Sequence, residues 1–266
     1  MDVVTVLLLI GLGICSGGMT SLIGASGVMV VIPALSMGMH FTMQQAIGTS
    51  LMVDVIGSIV VSYTYFKNKN IDLKRGFWIA AGSVGGAQLG AMFADLIPES
   101  DFGSAFGIFL ALFGVFMLVR GANTGKSLSK IDRPARLKPG WQTNLASLGI
   151  GFVLGIISGV AGAGGGINFL IVLLFVVRLP LHKAIGTSTL IMAITALSGA
   201  VGHGARGNID LLAGLVIGAG TIAGGLLGAH FANRVSEKVL ARVTGGIFVA
   251  LGLAMTYIAL KQLGVL

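Results

Sequence analysis

Two glycine-rich strings mark where this chain could hold a small anion. Gly24-Ala25-Ser26-Gly27 and Gly162-Ala163-Gly164-Gly165-Gly166 each sit between apolar runs. Glycine lets the backbone turn sharply there and leaves N–H groups unpaired at the start of a following helix. A helix N-terminus carries partial positive charge and free donors, so it can take an anion without a lysine. Ser16 opens the first string's neighbourhood, and Ser26 and Asn168 fall at the starts of the apolar runs that follow. Thr49-Ser50 and Thr187-Ser188 open the next apolar runs as a matched pair. These hydroxyl and amide groups suit either anion binding or simple helix capping.

Among ionisable residues, Asp54 lies well inside an apolar run. An intramembrane acid is costly and points to a proton or cation relay. His203 and His230 fall near run ends, where contact with the membrane interface explains them. The single cysteine, Cys15, excludes an internal disulfide and any multi-cysteine metal site. It suits a small packing residue as well as a contact for a sulfur compound. No catalytic residue, metal or cofactor is expected.

The elements that must position these residues are membrane helices. Of 266 residues, 55% are hydrophobic and only 10% charged, with a mean hydropathy of +0.97. Soluble domains carry about 25% charged residues. The charges also cluster, leaving apolar runs of about 20 residues, the length that crosses a bilayer as a helix. A barrel would instead alternate apolar and polar over about 10 residues. Met1-Asp2 followed directly by an apolar run lacks the basic start of a secretory signal, so that run is read as part of the fold. The net charge of +8 fits Lys and Arg gathered in cytoplasmic loops against anionic lipid rather than binding to nucleic acid.

The chain is also internally duplicated. Ala46-Ile47-Gly48-Thr49-Ser50 recurs as Ala184-Ile185-Gly186-Thr187-Ser188. At the same offset Asn70-Ile71-Asp72-Leu73 recurs as Asn208-Ile209-Asp210-Leu211. Gly86, Gly90-Ala91 and Phe93-Ala94 match Gly224, Gly228-Ala229 and Phe231-Ala232, again at that offset. Further upstream the match slips by four residues, pairing Gly13 to Gly17 with Gly155 to Gly159. Gly82, Gly86 and Gly90, spaced by four, read as a small-residue helix-packing face.

The fold class is therefore all-α and polytopic, with a first repeat at 1–120, a basic cytoplasmic linker at 121–140 and a second repeat at 141–266. Each repeat is expected to hold a short run, a glycine-rich break, a second short run and three full spans. The first half reads as 3–14, a break at 16–27, 28–39, then 44–66, 77–97 and 102–120. The second reads as 143–157, a break at 158–166, 167–177, then 184–203, 211–232 and 239–260. Loop charges favour inversion of the second half, which sets 15 of the 17 Lys and Arg on the cytoplasmic side against 12 for a parallel arrangement. The short runs flanking each break, as a re-entrant pair or as short spans, supply the change of direction. Interrupted apolar segments at matching places in two inverted halves point to a transporter's binding site.

Two glycine-rich breaks, each followed by an apolar run and an Ala-Ile-Gly-Thr-Ser string, resemble the sulfite exporter TauE/SafE family over essentially the whole chain. The resemblance implies a multi-pass permease of the cytoplasmic membrane that moves sulfite or a related sulfur oxyanion or organosulfonate. It implies a small inorganic or organosulfur anion as partner, besides membrane lipid, and admits a homodimer. Two rivals remain. Gly24-Ala25-Ser26-Gly27 fits the nucleophile string of rhomboid intramembrane serine proteases, with His203 as the base. A membrane subunit that transports nothing is the other.

Overall fold

The computed structural model describes residues 2–24, 26–39, 41–94, 140–161 and 165–236, with isolated positions up to 246. The chain divides into two compact units, residues 1–96 with 135–234 and residues 97–134 with 235–266. All that follows concerns the first unit. The expected spans 102–120 and 239–260 and the expected linker 121–140 lie outside the described residues, isolated positions apart.

Eight helices are described: α1 (Val3–Ile23), α2 (Val28–Gly38), α3 (Met43–Lys67), α4 (Leu73–Ala94), α5 (Trp141–Ala161), α6 (Gly166–Phe175), α7 (Leu181–Gly204) and α8 (Leu211–Arg234). No strand occurs among the described residues. Five of the helices, α1, α3, α5, α7 and α8, are long and apolar enough to cross a membrane. The 21 residues of α1 reach about 30 Å, the thickness of the hydrocarbon core. The 11 of α2 and the 10 of α6 reach only about half of it.

Burial sorts the spans into a centre and a rim. Within the most apolar stretch, 67% of α3 and 72% of α7 is buried, against 28% of α1 and 22% of α5. α3 and α7 pack on each other, α8 and α1 lie on one flank, and α4 and α5 on the other. The rim helices turn Leu7, Leu8, Leu145, Val153 and Leu227 outward, as helices facing lipid do. The start of α3 is held by a capping box: Thr42 Oγ1 accepts from the Gln45 N–H at 3.2 Å, and Gln45 Oε1 accepts from the Thr42 N–H at 3.3 Å. Such a reciprocal cap stabilises a helix by about 1 kcal/mol.

The flanking pairs pack through glycine. A Cβ on Gly86 would run into the backbone carbonyl of Phe152, and one on Gly224 into that of Ile14. The pairs Gly82 with Leu148 and Gly220 with Ile10 behave in the same way, and so do Gly151 with Ile79 and Gly13 with Ile217. Small residues let helix backbones meet this closely, and van der Waals packing then holds the pair in lipid. In each of these paired contacts, both members of one are the repeat counterparts of both members of the other, at the offset that relates Thr49 to Thr187.

Two sequence-based expectations are corrected. α1 runs unbroken to Ile23 and α5 to Ala161, so Ser16, Gly17, Gly18 and Ser158 to Ala161 lie within helices rather than in breaks, and the expected short runs 3–14 and 143–157 are parts of full-length helices. A glycine inside a helix costs about 1 kcal/mol in helix propensity. Here Gly17 offsets it by bringing α1 against the Thr221 backbone of α8. The four-residue slip is not followed by these contacts either: Gly13 corresponds to Gly151, not to Gly155. A slip of four is about one helical turn, so a row of small residues matches itself almost equally well in both registers.

Candidate functional site

Between α1 and α2 the chain turns in four residues, 24–27. Gly24 ends α1 in the left-handed region, with φ 61°, and its N–H donates to the Thr20 carbonyl at 3.0 Å. Such an αL residue after a helix is the usual role of glycine, because a side chain would be strained there. A side chain at Gly24 would also meet Ser188 Oγ. That hydroxyl, on α7, donates to the Gly24 carbonyl at 3.2 Å and to the Ile185 carbonyl at 2.9 Å. The turn of the first half is thus seated on the Gly-Thr-Ser string of the second.

The other end of the turn meets Asp54, which is 2% exposed in the middle of α3. The Ser26 hydroxyl donates to Asp54 Oδ2, and the Gly27 backbone N–H points to the same carboxyl. Ser26 Oγ in turn accepts from the Val28 N–H at 3.0 Å. Ser58, one turn along α3, donates to the Asp54 backbone carbonyl. Ser16, on α1, lies directly against Gly27, where a Cβ would overlap its Oγ. The Ser16 hydroxyl is fully buried and has no hydrogen-bond partner among the described residues. Buried polar groups are nearly always paired, so each exception calls for an explanation.

Thr49 and Thr187 do not cap helices, because they lie well inside α3 and α7. Both are fully buried. Thr49 Oγ1 accepts from the Asp210 N–H at 3.0 Å, and Thr187 Oγ1 from the Asp72 N–H at 2.9 Å. Each threonine therefore holds the loop of the opposite half. The two bonds also set the direction of the central helices. The start of α3 meets the loop that follows α7, and the start of α7 meets the loop that follows α3, so the two run antiparallel. Ser50 is buried and donates to the Ile47 carbonyl at 2.8 Å.

Around the second turn, Gly165 has a φ of 78° and caps α6. Ser158 Oγ stands against it, as Ser16 stands against Gly27. Gly166 is buried at the start of α6, and Asn168 is half-buried in its first turn. Ala25, Gly162, Ala163 and Gly164, also expected in the site, lie outside the described residues. Met192, the counterpart of Asp54 in the second half, is fully buried.

His203 is fully buried, so an interfacial role for it is set aside. Its side chain packs beside Gly48, and its Nε2 lies 3.3 Å from the Gly159 carbonyl. Tyr65, its repeat counterpart in the first half, makes the matching contact, its hydroxyl donating to the Ser21 carbonyl at 2.8 Å. The protease reading needs Ser26 beside His203. Ser26 instead engages Asp54. Cys15 is exposed on α1. The Ser26–Asp54 pairing has no local sequence signal, since 28 residues separate the partners. Among the described residues no group of His, Cys, Asp or Glu is arranged to hold a metal.

What the arrangement offers is a helix start, that of α2, with buried hydroxyls around it. Comparison with known proteins agrees with a membrane carrier. The family model described as sulfite exporter TauE/SafE matches residues 9–255. The probable membrane transporter protein YunE of Bacillus subtilis (strain 168) is 28% identical over 264 residues, 94% of this chain and 97% of the relative. The probable membrane transporter protein MJ0441 of Methanocaldococcus jannaschii is 28% identical over 265 residues, 93% of this chain and 94% of the relative. A probable membrane transporter protein of Xylella fastidiosa (strain 9a5c) is 28% identical over 263 residues, 95% of each chain. No solved structure matches the chain.

Proposed function

Because the chain belongs to the sulfite exporter TauE/SafE family of multi-pass membrane transporters, we propose that it exports sulfite or a closely related sulfur oxyanion or organosulfonate. The two halves act as inverted repeats that rock against each other and expose one central site alternately to either side. The anion sits at the glycine-rich turn 24–27 and the start of α2. Ser16, Ser26 and the turn's own N–H groups act as donors, Ser188 holds the turn in place, Ser50 adds a hydroxyl from α3, and Gly165, Gly166 and Asn168 at the start of α6 face the anion from the other half. Thr49 and Thr187 hold the loops rather than the substrate. Asp54 carries the proton that couples transport to the membrane's electrochemical gradient.

The observation that carries this reading is the meeting of the first half's turn with the second half's string, Ser188 Oγ on the Gly24 carbonyl. A site shared by two repeats is what alternating access requires. The antiparallel course of α3 and α7 supports inversion, since their Ala-Ile-Gly-Thr-Ser strings are copies of each other. A binding surface of hydroxyls and backbone N–H groups, free of fixed positive charge, also suits an anion that must leave again.

The test is flux through proteoliposomes of labelled sulfite, sulfate, thiosulfate and small sulfonates, with and without a pH gradient. At least one sulfur anion moves faster than through empty liposomes, and the gradient changes its rate. No movement of any of them overturns the substrate class.

A further inference from the structure

Asp54 occupies the spot that an anion would take. Its carboxyl faces the start of α2, where it takes the Ser26 hydroxyl and lies toward the Gly27 N–H. A carboxylate at a helix N-terminus is held by the same forces as any other oxyanion. One donor is left over: the Ser16 hydroxyl, fully buried against Gly27 and without a hydrogen-bond partner among the described residues. The turn therefore has one more buried donor beside it than the carboxyl uses.

Among the described residues no positive charge compensates Asp54. α2 carries no titratable side chain, and the only one on α1 is the exposed Cys15. On α3 itself the others are Tyr63, Tyr65 and Lys67, all near its far end. On α7 these groups are His182, Lys183 and His203, and His203 is engaged at Gly48 and Gly159. On α8 they are His230 and Arg234, both exposed. A second anion brought against an ionised Asp54 would meet a like charge in a buried setting, where screening is weak.

We propose that Asp54 is a tethered competitor for the transported anion. In the empty protein its carboxylate fills the start of α2. A proton neutralises it, the Ser26 and Gly27 donors pass to the incoming oxyanion, and Ser16 gives the additional bond. Release of the anion lets the proton leave and the carboxylate return. A divalent oxyanion then travels with one proton and one net negative charge, which an inside-negative potential still drives outward. This rests on the anion site described under the proposed function and adds how that site is emptied and filled.

Binding of labelled sulfate and thiosulfate to the purified full-length protein tests it, because neither probe changes charge between mildly acidic and mildly alkaline pH. Wild type should bind about tenfold or more tightly at acidic pH. Asp54→Asn should bind tightly at both, with the pH dependence gone. Ser16→Ala should bind several-fold more weakly at both pH values while keeping the wild-type ratio. Asp54→Asn with the wild-type pH dependence, or with weaker binding than wild type at acidic pH, overturns the proposal. A second readout needs no variant: wild type should take up about one proton per sulfate bound in weakly buffered solution, and no uptake overturns it. If neither probe binds wild type at any pH, the anion site itself fails. Binding without the pH effects fails the competitor alone.

Discussion

Thr187 Oγ1 accepts a hydrogen bond from the Asp72 backbone N–H at 2.9 Å, joining the second Gly-Thr-Ser string to the loop at the end of the first half's central helix. Thr49 and Asp210, the repeat counterparts of Thr187 and Asp72, form the reciprocal bond at 3.0 Å. Two copies of one sequence thus clasp each other at both ends of the α3–α7 pair. The same aspartates cap the helices they precede, Asp72 Oδ1 accepting from the Arg75 N–H at 3.2 Å and Asp210 Oδ1 from the Ala213 N–H at 2.9 Å. Each clasp therefore also fixes where α4 and α8 begin.

Thr187→Val keeps the shape of the side chain and removes the acceptor. The Asp72 N–H is left without its partner, at a cost of about 1 kcal/mol. Thr187→Ser should retain the bond and most of the stability. Thermal unfolding in detergent checks this, and a valine variant as stable as wild type would show that the clasp contributes nothing.

The glycine rows give a sharper contrast. Gly86→Val pushes a side chain into the Phe152 backbone of α5, and the helix pair must separate or shift. We expect a loss of at least about 2 kcal/mol. Gly149 lies on the same α5 helix with nothing near its missing Cβ. Gly149→Ala should be neutral or slightly stabilising, by up to about 1 kcal/mol. Melting temperatures of the two variants should move in opposite directions or differ widely; equal shifts would contradict the packing described.

Inversion predicts the sidedness of matching loops. With Cys15 replaced by alanine, single cysteines at Asn70 and Asn208 should react with a membrane-impermeant thiol reagent from opposite sides of the membrane. Labelling from the same side would overturn the inverted arrangement.

Part of this is legible in the sequence. The expected spans 44–66, 184–203 and 211–232 correspond to Met43–Lys67, Leu181–Gly204 and Leu211–Arg234. Each is a long apolar run ended by polar loop residues, and hydropathy reads such runs well. The first break extends too far upstream in the sequence reading because Gly17 and Gly18 look like helix breakers in isolation. Whether a membrane glycine breaks a helix or packs it is settled by the neighbour, and Gly17 has the α8 backbone against it. The position of His203 near the end of a run suggests an interfacial residue, yet its side chain is buried beside α3. Ser26 and Asp54 both stand out in the sequence, but as a helix-start donor and a separate relay. Their meeting depends on how α2 folds back onto α3, which no local pattern records.

The central claim is that a sulfur oxyanion rests at the turn between α1 and α2. Its most direct test is the melting temperature of the purified protein titrated with sulfite, thiosulfate and, as a control, chloride. A ligand that binds only the folded state raises stability in proportion to the logarithm of its concentration above Kd. The account predicts such a rise with a sulfur oxyanion and none with chloride, and Ser16→Ala should need several-fold more ligand for the same shift. No rise with either sulfur anion, or a rise unchanged by Ser16→Ala, would contradict it.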